Sequence, residues 1–277
     1  MITVDENNNI YIPYDNDRIN DEFEFYLNHQ GKQTGITTKN FIIKFFQQDT
    51  FYFVEKELFK DKKIQDKIIN NRIHYLNKSL EELTSEDILQ GFKRSGMYYG
   101  YSHFNPLWAK WFYNKYNIKT SYDPCGGWGH RLLGSLDLDL YIYNDFSTSV
   151  FNNVNSIINN FELQCITQSY NNDAKDFIPT EDFECMYTCP PYFNLEHYEC
   201  GDFELIDDYY KFIDSLFNVF YSKQSCHIFG LIIREDYLEN KWKDKVVEKF
   251  EIKQQRSNHI SGGGDHNKKE YLYVFKK

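Results

Sequence analysis

Short apolar runs and stretches of helical spacing alternate along the second half of the chain. "TSYDPC" reads as a strand running into a glycine-rich turn, "HRLLGSL" starts a helix, and "LYIYND" is the next strand. In "STSVFNNVNSIINNF" the residues Val150, Phe151, Val154, Ile157, Ile158 and Phe161 follow helical spacing. Strands are expected around "CITQSYNND" and "FECMYT". "IDDYYKFIDSLFNVFYSK" then places Ile206, Tyr209, Ile213, Leu216, Phe217 and Phe220 on one helical face. "CHIFGLII" is a buried-strand run, residues 237 to 249 read as helical, and "EIKQQRSN" and "YLYVFKK" close the chain as a hairpin. Repeated β-α-β units predict a mostly parallel sheet covered by helices, an α/β fold.

The first half is less regular. Residues 1 to 22 are rich in Asn and Asp, with at most a short hairpin around "NIYIPY", and "FIIKFFQQDTFYFVEKELF" fits neither period. Helical spacing begins at Lys60. "LTSEDILQGF" opens with Thr84 or Ser85 as N-cap. "SHFNPLWAKWFYNKYN" offers Asn105 as N-cap, Pro106 at the first helical position, and Leu107, Trp108, Trp111, Phe112 and Tyr116 as its apolar side. We divide the chain into an N-terminal extension, residues 1–95, and a main domain, residues 96–277.

Composition supports a folded core: of 277 residues, 41% are hydrophobic and 18% aromatic. No apolar run approaches a membrane span and the start lacks a secretory pattern, so a cytoplasmic protein is expected. The six cysteines form no C-x-x-C pair, which suits a reducing compartment. Cys185, Cys189, His197 and Cys200 could be drawn as a zinc site, but strand alternation would turn two of them to different faces, and no metal is expected. The net charge of −10 is unevenly placed, with +5 on residues 241–277 and −15 on the rest. That basic end is compatible with a phosphate-contacting face or with a solvated helix.

Ligands of such sheets bind at the carboxyl ends of the strands. Asp123 ends the first strand, and "CGGWG", Cys125 to Gly129, comes next with three glycines that permit close backbone approach. Asp145 ends the second strand, where a carboxylate could accept from a ribose diol. Asp173 ends the third and could accept from an exocyclic amine. The set describes a nucleoside-shaped pocket, although an Asp at a strand end often merely caps the next helix. A dinucleotide fits less well, because G-x-G-x-x-G is absent. In "TCPPYF", Pro190 and Pro191 lack N–H donors and fix φ, so the Cys189 and Pro190 carbonyls could serve as rigid acceptors while Tyr192 presents a flat face.

With these motifs in order, residues 94 to 277 resemble the S-adenosylmethionine-dependent amino-methyltransferases of DNA. "DPCGGWGHRLLGSL" and "TCPPYFNLEHY" are closest to stand-alone enzymes common in bacteriophages and bacteria. The resemblance implies a Rossmann-like fold with a seven-stranded, mostly parallel sheet and a C-terminal antiparallel hairpin. It also implies that the turn of Asp123, Pro124, Cys125, Gly126, Gly127 and Gly129, with Arg131 behind it, cradles the methionine part of the cofactor. Asp145 would hold the ribose and Asp173 would lie beside the adenine amine, with Phe146 and Ala174 next to them as further cofactor contacts. "GYSHFNP", with Tyr101, His103 and Phe104, would close over the methionyl end, beside Cys189.

The family's catalytic tetrapeptide is Asp, Asn or Ser followed by Pro-Pro-Tyr/Phe; here it is Cys189, Pro190, Pro191 and Tyr192. Cys is nearest in shape to the Ser form associated with cytosine N4, yet a thiol is a poor acceptor, so cytosine N4 and adenine N6 both stay open. The implied reaction is direct transfer from the sulfonium to a base nitrogen, with the base flipped out of DNA and stacked on Tyr192. Alternatives are an RNA amino-methyltransferase and a non-catalytic binding homologue. A C5-cytosine enzyme would use a cysteine thiolate, but in the order Pro then Cys. Target contacts are expected from residues 1 to about 95 and from the loop holding Arg256, Asn258, His259, Lys268 and Lys269, unless that loop is plain surface.

Overall fold

The structure, a computed structural model, describes residues 3–4, 10–11, 52–54, 61–84, 87–88, 91, 98–100, 104–160, 163, 165–193, 203, 205–252 and 269–277. It divides into two compact units, Met1–Ser102 with Gln255–Gly263, and His103–Gln254 with Gly264–Lys277.

In the first unit, β1 (Thr3–Val4) and β2 (Ile10–Tyr11) form a short antiparallel pair, as the "NIYIPY" pattern suggested. A second antiparallel pair joins β3 (Tyr52–Val54) to β4 (Tyr98–Gly100). Helix α1 (Lys62–Leu76) starts where the Asp61 carboxylate accepts from the Lys63 and Ile64 amides, and ends at Asn77 in the left-handed region. Further on, the Thr84 hydroxyl accepts from the Asp87 amide while the Asp87 carboxylate accepts from the Thr84 amide, a reciprocal cap.

The second unit carries the sheet. Its strands are β5 (Thr120–Asp123), β6 (Leu140–Asn144), β7 (Ile166–Tyr170), β8 (Cys185–Thr188), β9 (Ile228–Arg234), β10 (Glu248–Glu251) and β11 (Glu270–Lys276). The order across the sheet is β10-β11-β9-β8-β5-β6-β7, parallel from β9 to β7, with β11 antiparallel to both its neighbours. This is the seven-stranded sheet with a closing hairpin that the resemblance implied. The chain runs outward from β5 to β7, then returns to β8 on the other side of β5. A crevice is therefore expected between the carboxyl ends of β5 and β8, where the winding reverses.

Every residue of β8 and of β9 is buried, because helices cover both faces. Helix α5 (Ile206–Ser222) supplies Tyr209, Ile213, Leu216, Phe217 and Phe220, the face its spacing predicts. Two expectations need correction. Helix α2 (Pro106–Tyr116) does use Asn105 as N-cap, but it buries Pro106, Ala109, Phe112 and Tyr113 and leaves Trp111 38% exposed against Phe250. The small residues decide this: a Cβ on Gly134 of α3 (His130–Gly134) would stand 2.7 Å from the Ala109 Cβ, so that face lets the helices approach. The helix expected over 237–249 is only α6 (Asn240–Lys243), because Glu248–Glu251 pairs with β11 as the sheet's edge strand and so satisfies the β11 backbone. Helix α4 (Thr148–Asn160) buries Val150, Val154 and Ile157 as expected. Among the described residues no helix is long and apolar enough to cross a membrane.

Candidate functional site

Asp123, the last residue of β5, is fully buried, and its carboxylate gathers five donors. Oδ2 accepts from Arg131 Nε at 2.6 Å and Tyr141 Oη at 2.8 Å; Oδ1 accepts from Thr188 Oγ1 at 2.8 Å and, at 3.3 Å each, from Arg131 Nη2 and the Cys125 amide. Burial works against the Arg131 cation, but the Asp123 carboxylate more than offsets it and raises the guanidinium pKa. Arg131 also donates to the Cys125 carbonyl and lies 5.3 Å from the centre of the Phe104 ring. Five donors saturate a carboxylate with about four lone-pair directions. Asp123 therefore supports the turn from beneath.

The turn above it is held from β6. The Gly126 amide donates to the Asn144 carbonyl at 2.7 Å, and the Tyr143 ring occupies the place of a Gly126 side chain, 2.0 Å from where a Cβ would stand. Packing against Tyr143, rather than room for a ligand, requires this glycine. Gly127 has φ +59°, and a Cβ there would stand 4.0 Å from Arg131 Nη2; its amide donates to Asp145 Oδ2 at 2.8 Å and its carbonyl accepts from Tyr143 Oη at 2.8 Å. Asn144, fully buried, donates to the Pro124 and Asn172 carbonyls at 2.9 and 3.0 Å and so fastens the loops after β5 and β7 to the end of β6.

Asp145 is only partly enclosed. Burial pushes its carboxyl up to about 6, against the opposing effect of the Gly127 and Ser147 amides that donate to it. Phe146, next in the chain, is 51% exposed. Asp173 accepts from the Lys175 amide and pairs with the Lys175 ammonium, each at 3.0 Å, so it caps its own turn; Ala174 is buried.

The Pro-Pro corner leaves β8 directly opposite. Thr188 Oγ1 both donates to Asp123 and accepts from the Cys125 amide at 3.3 Å. Cys189 Sγ lies 3.6 Å from Tyr192 Oη, and both side chains are partly exposed. Beyond them the Phe193 carbonyl accepts from Tyr237 Oη at 2.7 Å.

Asp123 to Gly129, Arg131, Asp145 and Cys189 to Tyr192 are thus gathered at the carboxyl edge of β5, β6 and β8. Tyr101, His103, Arg256, Asn258, His259 and Lys268 lie outside the described residues, as do His197 and Cys200 of the zinc alternative. Among the described residues no group of three metal-ligating side chains forms. Lys269 is 56% exposed but pairs with Glu251 at 3.0 Å. Sequence reasoning passed over Asn144, Tyr141, Tyr143 and Thr188. A polar residue immediately before each loop was the one signal for Asn144 and Thr188, whereas the tyrosines read only as core.

No family profile matches the chain, and neither does any curated protein. Among solved structures it is similar to the human methyltransferase 10 domain containing protein, at 11% identity over 61% of this chain and 80% of that one, with a TM-score of 0.46. It is also similar to SMU.472 complexed with SAH (13% identity, 62% and 52% of the two chains, TM-score 0.45) and to TrmN from Thermus thermophilus (14%, 63% and 49%, 0.42). The chain spans about half the length of these last two. The functional reading accordingly rests on the site's own geometry.

Proposed function

We propose that the protein is an S-adenosylmethionine-dependent methyltransferase acting on an exocyclic amino group of a base in DNA. The observation that carries this reading is the meeting of three segments, the glycine turn, Asp145 and the Cys189–Tyr192 corner, where the sheet reverses its winding. The residues fit the cofactor. Gly127, at a positive φ, puts no side chain over the turn, Asp145 keeps acceptor capacity beyond its two amide bonds for a ribose diol, and the exposed Phe146 ring offers an apolar face for adenine.

The cofactor supplies an electrophilic methyl group on a sulfonium. The chain supplies position: Asp145 orients the ribose, Tyr192 stacks on the target base, and the backbone carbonyls of Cys189 and Pro190 accept from its amine. No covalent enzyme intermediate is needed, so Cys189 acts through its backbone. The test is labelled-methyl transfer to double-stranded DNA, single-stranded DNA and RNA, with the modified nucleoside identified by mass spectrometry. Label on cytosine N4 or adenine N6 of DNA supports the proposal. Label confined to RNA moves the activity to the RNA reading, and label at cytosine C5 contradicts the mechanism.

A further inference from the structure

We propose that Thr188 is a positioning residue whose hydroxyl ties the target-base corner to the cofactor turn; the inference rests on the proposed function for the ligand on each side. Thr188 is fully buried and immediately precedes Cys189. Its single hydroxyl is used in both directions, donating to Asp123 Oδ1 at 2.8 Å and accepting from the Cys125 amide at 3.3 Å. Cys125 in turn starts the glycine turn, and its carbonyl accepts from Arg131, which is held by the same Asp123 carboxylate.

A corner of two prolines is stiff within itself but has few hydrogen bonds with which to fix its direction, since neither proline can donate. The last residue of β8 must therefore aim it. Backbone pairing of β8 with β5 involves Cys185 and Met186, two residues short of Thr188. On the β5 side the hydroxyl is thus a buried polar link one residue before the corner. Displacement of the turn by a bound cofactor is passed to Cys189 and Tyr192 through this link, and the reverse holds by reciprocity.

The experiment uses the full chain with Thr188→Val, which keeps the shape and removes the hydroxyl, and Thr188→Ser, which keeps the hydroxyl. Thr188→Ala takes the place of the valine variant if that does not fold. The first readout needs no methyl transfer: the alkylation rate of Cys189 by iodoacetamide, measured by peptide mass spectrometry. Loss of a hydrogen bond to a carboxylate is expected to raise that rate about tenfold in Thr188→Val, with Thr188→Ser near the parent. Tyr141→Phe removes another donor from the same carboxylate without touching the corner and leaves the rate unchanged. In the second readout, Thr188→Val keeps the affinity for S-adenosylhomocysteine within about threefold while methyl transfer falls about tenfold, and Thr188→Ser restores it.

Unchanged Cys189 alkylation in Thr188→Val, or equal acceleration by Tyr141→Phe, overturns the proposal. If the parent protein binds no S-adenosylhomocysteine and transfers no methyl group, the functional reading fails, while the alkylation comparison still decides whether the hydroxyl holds the corner.

Discussion

Asp123 ends β5 and Asp145 directly follows its parallel neighbour β6, and in the sequence they look alike. Their surroundings are opposite. Asp123 is sealed beneath the turn by five donors, two of them from the buried Arg131 cation, whereas Asp145 has two backbone amides and a partly open face. The first carboxylate holds together the strands that build the site, and the second keeps a partly open face, where the proposed cofactor would bind. A carboxylate at the carboxyl edge of a parallel sheet is thus assigned by its count of donors more than by its position.

That contrast can be broken most forcefully at Asp123. Removing one member of a buried ion pair leaves the other uncompensated, so Asp123→Ala should cost about 3–5 kcal/mol, measured by denaturant unfolding. A loss below about 1 kcal/mol would mean that the pair is no keystone. Asp145→Ala should cost only about 1–2 kcal/mol, for the amides it leaves unpaired, yet should abolish most cofactor affinity. Next, Tyr192→Ala removes a stacking face worth roughly 1–3 kcal/mol and should slow methyl transfer about 10- to 100-fold with cofactor binding intact. Equal loss of both activities would place Tyr192 in the cofactor site instead.

A pH titration sharpens the comparison further. The Asp145 carboxyl is raised from 3.8 to about 6 in the folded protein, so the folded state binds this proton more tightly than the unfolded one. Its contribution to stability is therefore present below the unfolded value and is lost as pH rises through about 6. The ionised carboxylate is the stronger acceptor for ribose hydroxyls, so cofactor affinity should rise over the same window. Calorimetry at several pH values should show this in the parent and a flat profile in Asp145→Asn. The smallest effect is expected at Lys269, whose exposed pair with Glu251 is screened by solvent; Lys269→Glu should barely shift the melting temperature. A large drop in DNA affinity in that variant would support the basic loop as a contact surface.

Much of the sheet was legible because its strands are short apolar runs set between helices with clear spacing, as in "LYIYND" and Val150, Val154 and Ile157. The order of the motifs likewise marked the carboxyl edge. The features that stayed hidden depend on neighbours distant in the chain. Gly126 looks like a ligand-approach glycine until the Tyr143 ring is seen beneath it. Trp111 looks like core until Ala109 and Gly134 bring two helices together on another face. Residues 244–249 include the helix-compatible Lys245, Glu248 and Lys249, but β11 needed an edge partner. Thr188 offered no periodic signal, since its role is a single hydroxyl between two segments.

The most direct test of the account is calorimetric titration of S-adenosylhomocysteine into the parent protein and Asp145→Ala under identical conditions near pH 8. Saturable one-to-one binding in the parent, weakened at least about tenfold in a variant that remains folded, is the predicted result. No binding heat in the parent, or equal affinity in the two proteins, would contradict it.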